Sequence, residues 1–210
     1  MINPYAYFDC LALGTKLKRV FDSVAEAEFH VFTYLACLLS LYRSRPLADW
    51  EYGFVSTKNG SPFSTALADV VPELISSGMF VRASNNYLGI TEDGSREYEF
   101  LRTLSQNQSR EAFIDGASSS VLALPVGVVR EAILQEPELH RATAVSSTRF
   151  LLDGPGIDIL YDQFSVLSAA VGVEVQSLMV PSVVWLMYLA HYSNSLKPAF
   201  AEAMRPADVG

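Results

Sequence analysis

Histidine, cysteine and serine are the residue types that could supply nucleophilic chemistry, and in this chain they are scattered. The three histidines, His30, His140 and His191, have no recognisable flanking motif, and the two cysteines are Cys10 and Cys37. Nucleophilic catalysis needs a base beside the nucleophile and a third group that orients the base. Because no such set is recognisable, the sequence predicts a protein without a catalytic site.

Two short segments invite a cofactor reading. Glu136, Glu138 and His140 surround a proline, and Gly154-Pro155-Gly156 forms a glycine-rich run. Carboxylates near a helix end are ordinarily a solvated surface, and this glycine run lacks the third glycine of a dinucleotide loop. We therefore expect no metal and no cofactor.

Composition limits the class of protein. The chain has 210 residues, 50% hydrophobic content, 18% charged residues and a net charge of −8. It can bury a substantial core, and two cysteines fit a reducing compartment. We expect a cytoplasmic protein, because no basic and apolar secretion signal opens the sequence. The apolar run at residues 177–192 is too short for a membrane span, which needs about 20 residues.

The order of elements between Tyr52 and Gly94 is that of a winged helix. A loop ends at Pro62, Ser64 can cap a helix, Gly78 can end it, and two apolar runs flank the turn residues 84–86 before Thr91 caps another helix. Pro72 does not suit a helix interior, so we expect it to begin a second helical segment. The pattern predicts a helix, a β-hairpin wing and a capping helix.

Helical periodicity extends this reading to the whole chain. We expect a mainly α (α+β) protein with four parts: an N-terminal arm at 1–23, a winged-helix domain at 24–106, a helical domain at 107–197 and a C-terminal tail at 198–210. The first core helix covers residues 24–42, one helix covers 92–106, and the polar run at 105–109 is a bend or linker.

The charges argue against DNA binding by this chain alone. Residues 26–100 contain five Lys/Arg and ten Asp/Glu, a net charge of −5. Lysine and arginine contacts to phosphate supply most non-specific affinity for DNA. Lys58 in the loop and Arg82 in the wing are the candidate nucleic-acid contacts, and residues 64–77 contain no Arg, Asn or Gln to read bases.

Aromatic residues are the candidate partner contacts, since they dominate interface energy. The arm could add a strand to a partner, dock on it, or pack on its own domain, and core packing is the alternative for the other residues. The candidates are Tyr5, Tyr7, Phe8, Trp50, Tyr52 and Phe63.

Several short motifs resemble a known family. The run YGFVSTKNGSPFS at 52–64, followed by SSGMF and NYLGITEDG, is similar to middle components of bacterial ABC-three-component defence systems. The stretch from Arg110 to Ala142 resembles the accessory subunit of Lamassu systems, which belong to that group. Together these motifs cover roughly half of the chain.

The resemblance implies a non-catalytic subunit that joins an SMC-like, ABC-type ATPase to an effector, often a nuclease, in defence against phage or plasmids. DNA would be met only through the complex. A weaker similarity, from GSPFS to TEDG, is to Panacea and SocA-like antitoxin domains. An antitoxin and a winged-helix transcription regulator therefore remain as alternatives.

Overall fold

The computed structural model describes residues 2–84, 86–144, 148–153, 156–172 and 177–203, with the backbone alone for 144 and 192–203. In these residues the chain is mainly helical, as the sequence predicts, and it contains two small antiparallel sheets where the sequence predicts one hairpin. The α-helices are α1 (Pro4–Leu17), α2 (Glu26–Tyr42), α3 (Thr65–Ser76), α4 (Glu92–Leu101), α5 (Ser105–Ser119), α6 (Val126–Ile133), α7 (Pro137–Ala144), α8 (Gly156–Val171) and α9 (Met179–Ala203). The strands are β1 (Val24–Ala25), β2 (Val55–Ser56), β3 (Pro62–Phe63), β4 (Phe80–Ser84) and β5 (Tyr87–Ile90), and 3-10 helices cover Leu47–Trp50 and Ser120–Leu122.

The N-terminal segment is a core helix. The Asn3 side chain caps α1 by accepting from the backbone N–H groups of Tyr5 and Ala6, each at 3.0 Å, and Pro4 occupies the first turn. Helix α1 packs against α3, α4 and α5. Of the alternatives for this segment, the structure shows packing on its own chain.

Helix α2 lies at the centre of the core. Every residue from Glu28 to Leu41 is buried, and the helix packs against α1, α5 and α8. A helix that is apolar on all sides is stable only when it is surrounded. Its hydroxyl groups bond locally: Thr33 donates to the Phe29 carbonyl at 2.5 Å and Ser40 to the Cys37 carbonyl at 2.7 Å.

Strands β4 and β5 form a hairpin between Met79 and Ile90, where the sequence predicts one. They pair antiparallel, and β1 pairs with β5, giving the order β1-β5-β4. Asn86 in the turn has φ 63°, whereas Asn85 lies outside the described residues. Gly78 ends α3 with φ 75°, and Thr91 caps α4 by accepting from the Gly94 N–H at 3.1 Å.

Two local predictions about α3 are wrong. Pro72 lies inside one continuous helix, on its exposed side, where the buried residues Leu67, Val71 and Leu74 hold the helix against the core despite the lost backbone donor. The Ser64 hydroxyl makes no cap bond, and the Ser64 N–H instead donates to Nδ1 of His30 at 3.1 Å.

Residues 92–119 form two helices, α4 and α5, instead of one helix and a linker. The polar run at 105–109 is the first turn of α5, exposed except for Asn107, whose side chain donates to the Leu101 carbonyl at 2.9 Å. The domain boundary predicted after residue 106 therefore falls inside α5. Likewise, residue 24 begins β1 ahead of helix α2, and α9 continues past residue 198 to Ala203.

The C-terminal helices close the other side of α2. Helix α8 packs on α2, and α9 packs on α5 and α6. At Gly116 of α5 a Cβ atom would overlap the Cβ of Leu178, so the absence of a side chain permits this close approach. No helix in the described part of the chain is long and apolar enough to cross a bilayer.

Candidate interaction surfaces

A buried ion pair links the first helix to the middle of the chain. The Arg110 guanidinium on α5 donates two hydrogen bonds to the Asp9 carboxylate on α1, from Nε to Oδ1 at 2.6 Å and from Nη2 to Oδ2 at 2.7 Å. Nη1 donates to the Trp50 carbonyl at 3.0 Å, and the Tyr52 hydroxyl donates to Asp9 Oδ2. Because both charges are removed from water, this planar two-bond geometry is needed to compensate their desolvation.

Aromatic rings enclose the guanidinium. Its Cζ lies 3.8 Å from the Trp50 ring centroid and 5.2 Å from the centroids of Tyr5 and Tyr52. Burial and then the Asp9 charge raise the pKa of Tyr52 well above its usual value. Trp50 is 3% exposed, and Phe8 on α1 is 1% exposed. The structure therefore places Phe8 and Trp50 in the core, which is the core-packing alternative for these two candidates.

The other four aromatic candidates keep some exposed surface. Tyr7 is half-buried, and its pKa is raised by burial and then by the carboxylates of Glu97 and Glu73. Phe63 stacks on His30, with ring centroids 4.7 Å apart, at the edge of an open groove. Tyr5 and Tyr52 are also half-buried, but both are directed at Arg110.

His30 is a neutral core residue. Its Nδ1 accepts the Ser64 N–H, and burial lowers its pKa to about 4. Both cysteines are buried thiols whose pKa values are raised by burial, so neither is reactive. No metal-binding cluster of His, Cys, Asp or Glu occurs among the residues that are described.

Glu136 has a structural role. Its two oxygens accept from the backbone N–H groups of Glu138 and Leu139, each at 3.0 Å, and Tyr34 donates its hydroxyl at 3.0 Å. The carboxyl group thereby caps α7, an element that the sequence analysis did not predict. Because the site is closed to water, burial raises the pKa of Glu136 to about 7.

The candidate nucleic-acid contacts are isolated. Lys58 and Arg82 are exposed on separate hairpins, and Arg82 Nη1 lies 4.0 Å from a carboxylate oxygen of Glu26. On α3 the charged exposed residues are the acids Asp69 and Glu73. These positions offer no continuous positive surface.

The exposed apolar surface lies instead on α8 and α9. Val166 is 71% exposed, Met187 56% and Tyr188 48%. On the same helix, Trp185 and Leu189 are buried, and Trp185 lies beneath the exposed residues. The sequence predicts a helix here that is buried in the core or in a subunit interface. In the structure, the rest of the chain covers only one side of α9, and the other side is exposed.

A groove of about 360 Å³ runs between the two helices. The Trp185 indole N–H donates to Oε1 of Gln163 at 3.1 Å, which fixes the ring. The ring centroids of Phe164 and Trp185 are 5.2 Å apart. The lining is mainly apolar: Asp162, Gln163, Val166, Leu167, Ala170, Val184, Trp185 and Tyr188. The sequence predicts the apolar run at 177–192 as a core or interface helix, but it does not predict the groove or the contribution of α8.

This surface is suited to binding a protein. Exposed apolar surface with polar groups at its edge is typical of contact sites on proteins. Comparison with protein-family models, with curated proteins and with solved structures finds no match for this chain.

Proposed function

We propose that this chain is a non-catalytic adaptor subunit of a cytoplasmic antiphage or antiplasmid defence complex, bridging an SMC-like, ABC-type ATPase and an effector nuclease. The observation that carries a bridging role is the exposed apolar surface of α8 and α9. These two helices lie outside the hairpin-containing half in the sequence, so they offer a second contact. The identity of the two partners comes from the resemblance of residues 52–94 and 110–142.

The hairpin-containing half fits a winged-helix unit with one change from the sequence prediction. The elements α1, β1, α2, α3, β4 and β5 follow in the order of that fold, and β1 pairs with β5 beside the β4–β5 wing. The first helix of the unit is α1, so the unit begins near Pro4, within the segment predicted as an arm.

Charge supports protein contact by this unit. In a DNA-binding winged helix, the third helix would present basic or amide side chains to the major groove. Here α3 presents Asp69 and Glu73, and Arg82 on the wing lies beside Glu26. A transcription regulator is disfavoured on this ground, because acidic groups repel the phosphate backbone.

The test is co-expression of the tagged chain with its neighbouring genes, followed by purification and mass spectrometry. Recovery of an ATPase with long coiled-coil segments together with a second protein, and no duplex binding by the chain alone, is the expected result. Recovery of one small toxin would overturn the adaptor in favour of an antitoxin. Tight duplex binding without a partner would favour a regulator.

Matched variants connect the result to the surface. Val166→Asp places a charge on the α8–α9 surface, and Phe100→Asp places the same charge at a helical residue that is 62% exposed on α4. We expect Val166→Asp to lose one partner and keep the other, whereas Phe100→Asp retains the α8–α9 partner. Retention of both partners by Val166→Asp would exclude this surface from bridging.

A further inference from the structure

The α8–α9 groove carries negative charge and no positive charge in its described walls. Asp162 lines it, and Asp158 is exposed one helical turn earlier. Neither carboxylate has an ion-pair partner among the described residues. The segments 156–171 and 179–191 contain no lysine or arginine. The groove is therefore apolar at its floor and acidic at one rim.

From this combination we infer that the groove binds a basic amphipathic helix of a partner protein. The inference rests on the proposed adaptor function and identifies the kind of segment that one partner contributes. An amphipathic helix places apolar residues at i, i+3 or i+4, and i+7 along one face, which is the form that fits a groove between two helices. Lysine or arginine beside that stripe pairs with Asp162.

The fixed floor of the groove favours such an occupant. Trp185 is 2% exposed and held by Gln163, so the floor is formed before binding and no side chain has to be ordered there. Val166 and Val184 stand on opposite walls, on α8 and α9. Apolar anchors entering between these walls remove exposed aliphatic surface from water, which supplies the affinity.

Charge also decides against two other occupants. A second copy of this chain would bring a net charge of −8 to each side and would face Asp162 with another acidic surface if the same groove were used twice. An anionic membrane surface attracts basic segments, and the described walls offer none. A basic partner helix is the occupant that neutralises Asp158 and Asp162, which have no ion-pair partner in the part of the chain that the structure describes.

The experiment begins with the assembled complex. The photoreactive residue p-benzoylphenylalanine is placed at Val166, the complex is irradiated, and the cross-linked peptide is identified by mass spectrometry. We expect one segment of a partner with a helical apolar stripe and a net positive charge. A cross-link to a second copy of this chain, or to a segment that is neutral or acidic, would overturn the inference while leaving the adaptor function intact.

The identified segment is then made as a labelled synthetic peptide and titrated by fluorescence anisotropy. Asp162→Lys should weaken binding by about three- to tenfold at low salt, with a smaller effect at high salt, because attraction becomes repulsion at a rim that salt screens. Asp49→Lys, an equal charge change at an exposed residue outside the groove, is the control. Equal weakening by the two variants would show that only net charge matters.

Substitution of the peptide's own lysines completes the test. Glutamate at the basic position nearest the cross-link should restore binding to Asp162→Lys and weaken binding to the unmodified chain. If the glutamate-substituted peptide does not regain binding to Asp162→Lys, Asp162 does not contact the basic residue of the partner. If the unmodified chain recovers no partner at all, the adaptor function and this inference fail together, which separates that outcome from an incorrect peptide.

Discussion

The Arg110 cluster and the α8–α9 surface use similar residue types for opposite purposes. In the first, Trp50 and Tyr52 surround a buried charge, and their contacts are made within the chain. In the second, Val166 and Tyr188 keep a large part of their surface in solvent. Residue type alone therefore does not distinguish a core residue from an interface residue, and burial has to be known as well. The comparison predicts that the cluster controls stability and that the surface controls association.

The most direct way to break the cluster is Asp9→Asn. This change leaves the Arg110 charge buried without its counterion, and we expect the free energy of unfolding to fall by about 3–5 kcal/mol. Chemical denaturation followed by circular dichroism measures the loss. Asp93→Asn removes an acid from the exposed Asp93–Arg96 pair and should cost less than about 1 kcal/mol. Equal losses in the two variants would show that burial of the pair is unimportant.

The close contact between α5, which carries Arg110, and the residue before α9 joins the two regions, and its contribution to stability can be measured. Gly116→Ala adds a methyl group where Leu178 already lies, and we expect a loss of about 1–3 kcal/mol from overpacking. Gly127→Ala, at an exposed residue of α6 where an added Cβ meets nothing within 4 Å, is the control and should not destabilise. Thermal unfolding of both variants measures the two effects. An equal change in the two variants would contradict a close contact at Gly116.

Glu136 gives a pH-dependent effect inside the core. Its folded pKa of about 7 lies above the ordinary value of 4.5, so the folded state favours the protonated form. Its contribution to stability is complete below pH 4.5 and is lost as the pH rises through 7. Denaturation midpoints measured from pH 5 to pH 8 should decrease more for the unmodified chain than for Glu136→Gln. Parallel curves would contradict the raised pKa.

The smallest stability effect is expected on the exposed surface. Val166→Asp changes a side chain that is 71% exposed, so the free energy of unfolding should change by less than about 0.5 kcal/mol. The same variant should lose the α8–α9 partner and keep the other partner in the co-purification described above. A large loss of stability would mean that Val166 belongs to the core, and the contrast between the two regions would disappear.

Local sequence signals predicted the hairpin-containing half well. Gly78 and Asn86 occupy positive φ, and Thr91 caps its helix, because each depends on a residue's own backbone or on neighbours within three positions. Pro72 and the polar run at 105–109 were misread for a related reason. Packing of α3 on the core and exposure of the first turn of α5 overrode the local preference.

The partner-contact residues could not be assigned from sequence in the same way. Asp9 and Arg110 are 101 residues apart, and the sequence around each of them does not predict that they pair. Without that pair, the roles of Tyr5, Trp50 and Tyr52 around the guanidinium were open between core and interface. Only the fold brings helix α1 against α5 and so places these rings around Arg110.

What the sequence by itself determined is therefore the mainly helical class, the hairpin, the acidic charge and the turn geometry, all of which follow from composition or from short-range backbone chemistry. Only the tertiary structure decided that the N-terminal segment is a core helix and that α8 and α9 leave an apolar groove open. Burial is the reason for this division, because it depends on which distant segments meet, and residues close in sequence do not contain that information.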